Sequence, residues 1–295
     1  MDSSQFTVVG RRQAGSAASC GKTKRCQRKP VLSTVILAGI TAGCLCCGLF
    51  LPGDPGFMDL AHPSQAPGRE FWFGTDTMGR DIFSMIWSGG RVSLTIGFLS
   101  TLISTAAAIL YGTASGLAPH RLDALLMRLA EIFLSIPGLL SVILIQSALG
   151  KPNVLSLSFA IGITGWMSIA KVIRTEVRRL RASEYVVAAK CTGGGFFHIL
   201  RRHLMPNFIS GIMFMVVMNV RSAIAAESAL SFMGIGLPLE IISWGSMLSL
   251  AERALLSGCW WIIFIPGIFL VTTLLCVTDI GNYLRQNANR KDSYL

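Results

Sequence analysis

Two ionisable residues, Arg221 and Glu227, interrupt an apolar stretch that runs from Leu204 to about Phe232. Charge within hydrocarbon is unfavourable, so each must face a neighbouring helix or a wet cavity. On a helix they fall on different faces and about 9 Å apart along the axis, too far for a direct pair. A translocation path and a structural bond between subunits are both open to them. An acidic pair, Asp76 and Asp81, sits among the turn-forming Gly74 and Gly79, beside Thr75 and Arg80. Local pairing in a structured cap accounts for these residues, and no third group suggests catalysis. His62, His120, His198 and His203 form no evident ligand set, so no metal site is expected. The Cys44-x-Cys46-Cys47 cluster could bind a soft metal or be acylated, but such residues in a membrane helix are more often small apolar fillers, and they read as fillers. No Gly-x-x-x-x-Gly-Lys-Ser/Thr phosphate loop occurs, which excludes the usual mode of ATP binding and leaves this chain with no expected cofactor.

The elements that must position these residues are membrane spans. Of the 295 residues, 52% are hydrophobic and 14% charged, which excludes an ordinary soluble domain. A spanning helix needs about 20 apolar residues. Such windows occur at Val31–Gly53, Val92–Pro119, Ile132–Gly150, Pro152–Ala170, Leu204–Phe232 and Ala254–Thr278, about six in all. The first is too long for a signal-peptide core and reads as a retained anchor. In the second, Ser104, Ala108, Gly112 and Gly116 recur every four residues, a face that lets another backbone approach closely. Pro137 breaks the third near mid-depth, where a kink can serve as a gating hinge. Between the fifth and sixth, the segment around Trp244 is too apolar for a free loop and reads as a re-entrant piece closing the outer mouth.

The net charge of +11 suggests nucleic acid until its placement is considered. Seven basic residues between Arg11 and Lys29 face Asp2 alone, the 171–207 segment is rich in Arg and Lys, and Arg285, Arg290 and Lys291 close the chain. With six spans these segments share one side, which the positive-inside rule makes the cytoplasm. The charge is therefore a topology signal and not a nucleic-acid footprint. The expected organisation is a disordered basic cytoplasmic tail over 1–30 and a first transmembrane helix over 31–53. An extracytoplasmic cap follows over 54–91, then a transmembrane domain over 92–284 and a cytoplasmic tail over 285–295.

The polar interruption from Lys171 to Asn207 is the organising feature. A short helix, a glycine break and a second basic helix make a handle on which another protein can push. It contains Glu184-Tyr185-Val186-x-Ala188-Ala189-x-x-x-Gly193, then Ile199, Arg202-His203 and Leu204-x-Pro206-Asn207. Small residues at 188 and 189 allow a short helix to sink into a partner's groove, and Gly193 turns the chain into the next helix.

This segment resembles the cytoplasmic coupling loop of binding-protein-dependent ABC importer permeases. Three further blocks resemble the dipeptide, oligopeptide and nickel branch of that family. They are Gly74-Thr75-Asp76-x-x-Gly79-Arg80-Asp81 with Arg91-x-Ser93-Leu94, then Leu230-Ser231-Phe232-x-Gly234-x-Gly236, and Trp244-Gly245-x-Met247-Leu248. Val187 stands where the family often carries a glutamate, so a salt link from that position to an ATPase is not implied.

The resemblance implies an all-α integral membrane protein of about six transmembrane helices with the type I (MetI-like) importer permease fold. It implies a bacterial plasma membrane location with both termini cytoplasmic. The chain would be non-catalytic and would pair with a homologous permease in a heterodimer, with two cytoplasmic ABC ATPases and with an extracytoplasmic solute-binding protein. ATP-Mg would sit on the ATPases. Glu184, Tyr185, Ala188, Ala189, Gly193, Ile199, Arg202, His203 and Pro206 would couple to them, with Arg221, Glu227, Pro137 and Trp244 as candidates for the path or gate. Short peptides are the expected cargo, with nickel or a metal chelate as the alternative. A self-contained carrier or channel would require another architecture, and no inverted repeat supports one.

Overall fold

The computed structural model describes residues 30–50, 54–181, 205–238, 240–250, 254 and 258–292. Eight helices are named here: α1 (Val31–Phe50), α2 (Ile82–Leu117), α3 (His120–Leu134), α4 (Gly138–Leu149), α5 (Val154–Arg181), α6 (Met205–Phe232), α7 (Trp244–Ser249) and α8 (Trp261–Asp292). Among the described residues there is no strand beyond one isolated bridge between Thr75 and Asp81. Five helices, α1, α2, α5, α6 and α8, are long and apolar enough to cross a membrane, and the bent pair α3–α4 brings the number to six. The fold is that of an all-helical, multi-pass membrane protein.

Helix α2 is the axis of the bundle. Its 36 residues amount to about 54 Å, well beyond the hydrocarbon thickness. It begins at Ile82, ten residues ahead of the charge-free window at Val92, because Asp81 caps it: the Asp81 carboxylate accepts from Phe83 N at 3.2 Å and Ser84 N at 3.1 Å. Arg91 does not interrupt the helix, since it lies on an exposed flank. Pro119 ends it.

The small-residue face of α2 packs against α5 of the same chain. A β-carbon on Gly112 would stand 2.6 Å from the Ala170 carbonyl oxygen, and one on Gly116 would meet the Val177 side chain at 2.7 Å. Ala108, Ile169, Ala170, Ile173 and Val177 form the buried cluster at this contact. A second cluster joins α1, α2, α7 and α8 around Cys44, Ile86, Trp244 and Ile262. Cys44 is a filler here, with its sulfur where a β-carbon on Gly90 would fall.

The span expected over Ile132–Gly150 is not one kinked helix. Helices α3 and α4 meet at 89°. Proline at 137 removes a donor and disfavours the helical conformation at Ile136, so the ladder stops at Ser135 and restarts at Gly138. Between this break and α5 lies a cavity of about 770 Å³, lined by Phe133, Ile136 and Leu140 on one side and Ile163, Trp166 and Met167 of α5 on the other. Helix α5 runs on through Lys171 to Arg181, so the first part of the polar handle continues a membrane helix. Helix α8 begins at Trp261 and includes Pro266 within it.

Candidate translocation and coupling site

The chemistry-bearing residues fall into three groups along the bundle. The first is the cap. Asp76 is buried and accepts from Met78 N and Arg80 N at 2.8 Å each, while Arg80 Nε donates to its other oxygen at 2.7 Å. Gly79 has φ of +75°, and a β-carbon there would lie 1.8 Å from the Asp59 carbonyl oxygen, which leaves glycine as the residue that fits. Thr75 donates its hydroxyl to His62 O at 2.6 Å, and Trp261 Nε1 donates to Thr75 O at 3.2 Å. The cap is thereby docked on the start of α8. At its exposed edge His62 lies 2.8 Å from Asp59. The Asp59 hydrogen bond raises the His62 pKa, and the same contact lowers that of Asp59. Asp76 and Asp81 serve different purposes, one in an ion pair and one as a helix cap.

The second group surrounds Glu227. This side chain is fully buried and accepts from Ser93 at 3.0 Å, Ser231 at 3.0 Å and Ser228 at 3.3 Å. Trp244 is equally buried; its backbone N–H donates to Ser93 Oγ at 3.2 Å and its indole N–H to Ile86 O at 3.0 Å. Gly245 packs so closely on Ser228 that a β-carbon would stand 2.6 Å from its Cα. Helices α2, α6 and α7 are thus tied at one point. Arg221 is different: it lies on an exposed face of α6, in the middle of the Ile212–Phe232 span. The two intramembrane charges do not meet, and they differ in kind. Two residues before Arg221, Asn219 donates to Ser104 of α2.

The third group is at the opposite end of α2, and the sequence reading did not single it out. Asp123, in the first turn of α3, is buried; Arg174 grips both of its oxygens at 2.5 Å, and Arg178 Nη2 and Ser115 Oγ reach it at 2.6 Å each. The available signal was modest: Arg174 and Arg178 are four residues apart and so share a helix face. Pro137 lies exposed at the break between α3 and α4. Glu184, Tyr185, Ala188, Ala189, Gly193, Ile199, Arg202 and His203 lie outside the described residues, and Pro206 falls in the first turn of α6.

Helix α2 thus meets one buried carboxylate at Ser93 and another at Ser115. The sequence profile of the family described as binding-protein-dependent transport system inner membrane component matches residues 108–289. The chain belongs to that family. This inner membrane component is 35% identical over 232 residues to the dipeptide transport system permease protein DppC of Bacillus subtilis (strain 168), covering 79% of this chain and 72% of that protein. It is 32% identical over 267 residues to the oligopeptide transport system permease protein OppC of the same organism, covering 90% and 87%. A Haemophilus influenzae oligopeptide permease protein OppC is 34% identical over 264 residues, covering 89% and 84%. The profile takes in the end of α2 from Ala108 and everything through most of α8, so Asp123, Arg221 and Glu227 lie within it, whereas Ser93 and Ser104 precede it.

Proposed function

We propose that this inner membrane component is a permease subunit of an ATP-driven importer that carries di- and oligopeptides delivered by an extracytoplasmic binding protein. One observation carries the cargo assignment: relatives named as dipeptide and oligopeptide permeases align with 79% to 90% of the chain. They favour the peptide reading over nickel. The chain is non-catalytic, works beside a homologous permease, and is driven by two cytoplasmic ATPases that hold ATP-Mg. Basic residues of the amino-terminal tail, of 171–207 and of the carboxyl-terminal end support a cytoplasmic location for these segments.

In this reading the ATPases push on 184–203, and the helices rock between inward-open and outward-open states. Arg221, exposed at mid-span, is the better candidate of the two intramembrane charges for the path, because Glu227 is occupied by serine hydroxyls. Pro137 and Trp244 would act at the hinge and at the outer closure.

The deciding experiment is reconstitution of the purified complex with a labelled dipeptide or oligopeptide. Copurification of two ATPases and a second permease, with ATP-dependent uptake that is lost when Ala189 or Gly193 is replaced by Trp, is the expected result. Uptake that survives both substitutions would overturn the coupling assignment. A chain that purifies alone and transports on an ion gradient would overturn the importer reading.

A further inference from the structure

Among the described residues, helix α3 is attached to the bundle through few positions. Asp123, Met127 and Ala130 are its buried positions, a narrow face of spacing four and three. Most of the remainder is exposed, and the long side chains of Leu122, Leu125, Leu129, Ile132 and Phe133 lie open. A hydrogen bond from Tyr111 Oη to Leu126 O at 2.6 Å adds one further link. The ion pair of Lys171 with Glu131 is long, at 3.9 Å, and lies on the surface, where such pairs contribute little.

Against that sparse background the Asp123 site is dense. Its two carboxylate oxygens receive four hydrogen bonds, three from guanidinium groups on α5 and one from Ser115 on α2. Arg174 binds in the two-pronged geometry that fixes orientation as well as distance. Arg174 and Arg178 project from the last two turns of α5 before Arg181. The chain then enters the 182–204 segment, to which the proposed function assigns coupling. Any displacement that reaches the end of α5 at Arg181 is carried to Asp123 by helix backbone and charged hydrogen bonds.

What lies beyond α3 can respond. The 89° break at Ser135–Pro137 joins α3 to α4, and the cavity of about 770 Å³ between the break and α5 leaves room for α4 to shift. A packed core transmits strain, whereas an unfilled space allows a hinge to move without a clash.

From this geometry we infer that Asp123 is the positioning residue that makes α3 move as one body with the coupling end of α5, so that the pair α3–α4 opens and closes with the ATPases. The inference rests on the importer reading for its consequence in transport, though the mechanical tie itself does not depend on the cargo.

The test uses the full complex in proteoliposomes, with ATP hydrolysed per peptide taken up as the readout. Replacing Asp123→Asn removes the charge and keeps the volume. It should raise that ratio by about tenfold, within the usual range for coupling between sites, and Asp123→Glu should restore much of the loss. Where Asp123→Asn fails to assemble, Arg178→Gln decides, because Arg178 is half-exposed and its loss leaves Arg174 in place; a smaller rise is expected. An unchanged ratio in an assembled Asp123→Asn complex, or in Arg178→Gln when only that variant assembles, overturns the inference. Spin labels placed at Leu125 and Glu176 give a readout free of cargo. The wild type should show one narrow distance with and without ATP, and Asp123→Asn a broad one; narrow distances in both overturn the tie. If the wild-type complex takes up no peptide at all, the peptide reading falls and the label distances alone decide.

Discussion

Ser93 of α2 and Glu227 of α6, separated by 134 residues in the chain, meet at 3.0 Å in the interior of the bundle. The same serine oxygen accepts the backbone N–H of Trp244, so one hydroxyl links three helices. With Ser228 and Ser231 also donating to the carboxylate, Glu227 is a structural knot in place of a free charge.

Replacing Glu227→Ala leaves Ser93 and Ser231 without their acceptor and opens a cavity. Buried hydrogen-bonding groups stranded in this way cost about 1–3 kcal/mol each, although bonds inside membrane bundles average nearer about 0.6 kcal/mol. Thermal unfolding of the detergent-purified protein should show a clear loss for Glu227→Ala and a smaller one for Glu227→Gln, whose amide oxygen still accepts. Equal melting of all three proteins would contradict the knot.

The α2–α5 contact predicts an asymmetry among glycines. A β-carbon on Gly112 would press at 2.6 Å on a backbone oxygen of α5, which cannot rotate away as a side chain can. Gly112→Ala should destabilise by about 1–3 kcal/mol. Gly39, in the middle of α1, has nothing within 4 Å of its added β-carbon. Gly39→Ala should leave the melting temperature unchanged or raise it, since alanine favours a helix interior by up to about 1 kcal/mol.

In the cap, Asp76 and Arg80 are not equivalent partners. Asp76→Ala strands a buried guanidinium and also removes the acceptor for two backbone N–H groups. Breaking a buried pair from one side costs about 3–5 kcal/mol, so residues 54–81 should become open to protease from the face that the proposed topology puts outside. Arg80→Gln keeps both backbone bonds to Asp76 and should be cut more slowly. Protease digestion of right-side-out vesicles distinguishes the two.

The exposed Asp59–His62 pair gives a pH dependence with a definite sign. The raised His62 pKa means that its contribution is complete below the ordinary histidine value of about 6.5 and fades as pH climbs through the raised value. The lowered Asp59 pKa means that the carboxylate's share is complete above its ordinary value and is lost as pH falls through the lowered one. The contact is therefore fully formed from weakly acidic pH up to about 6.5 and weakens on both sides. Histidine proton NMR should show one resonance titrating above the usual midpoint, moving down in Asp59→Asn. A midpoint insensitive to that change would mean the pair is not formed in solution.

The span count, the small-residue face of α2 and the turn-bound cap were legible in the residues because each is a property of local composition and spacing. Twenty apolar residues must cross hydrocarbon whatever they pack against, and glycines every fourth residue make a flat face wherever their partner lies. The polar segment was visible for the same reason, as the charged interruption between two apolar windows. What hydropathy does not carry is the identity of the partner. Nothing near Asp123 announces Arg174, 51 residues away, and nothing near Glu227 separates it from Arg221 as the buried member of two similar intrusions. The start of α2 at Ile82 turned on a single capping residue, Asp81, and one proline turned an expected kink into a right angle. Those outcomes depend on which face of a helix meets which neighbour, so only the tertiary structure could decide them.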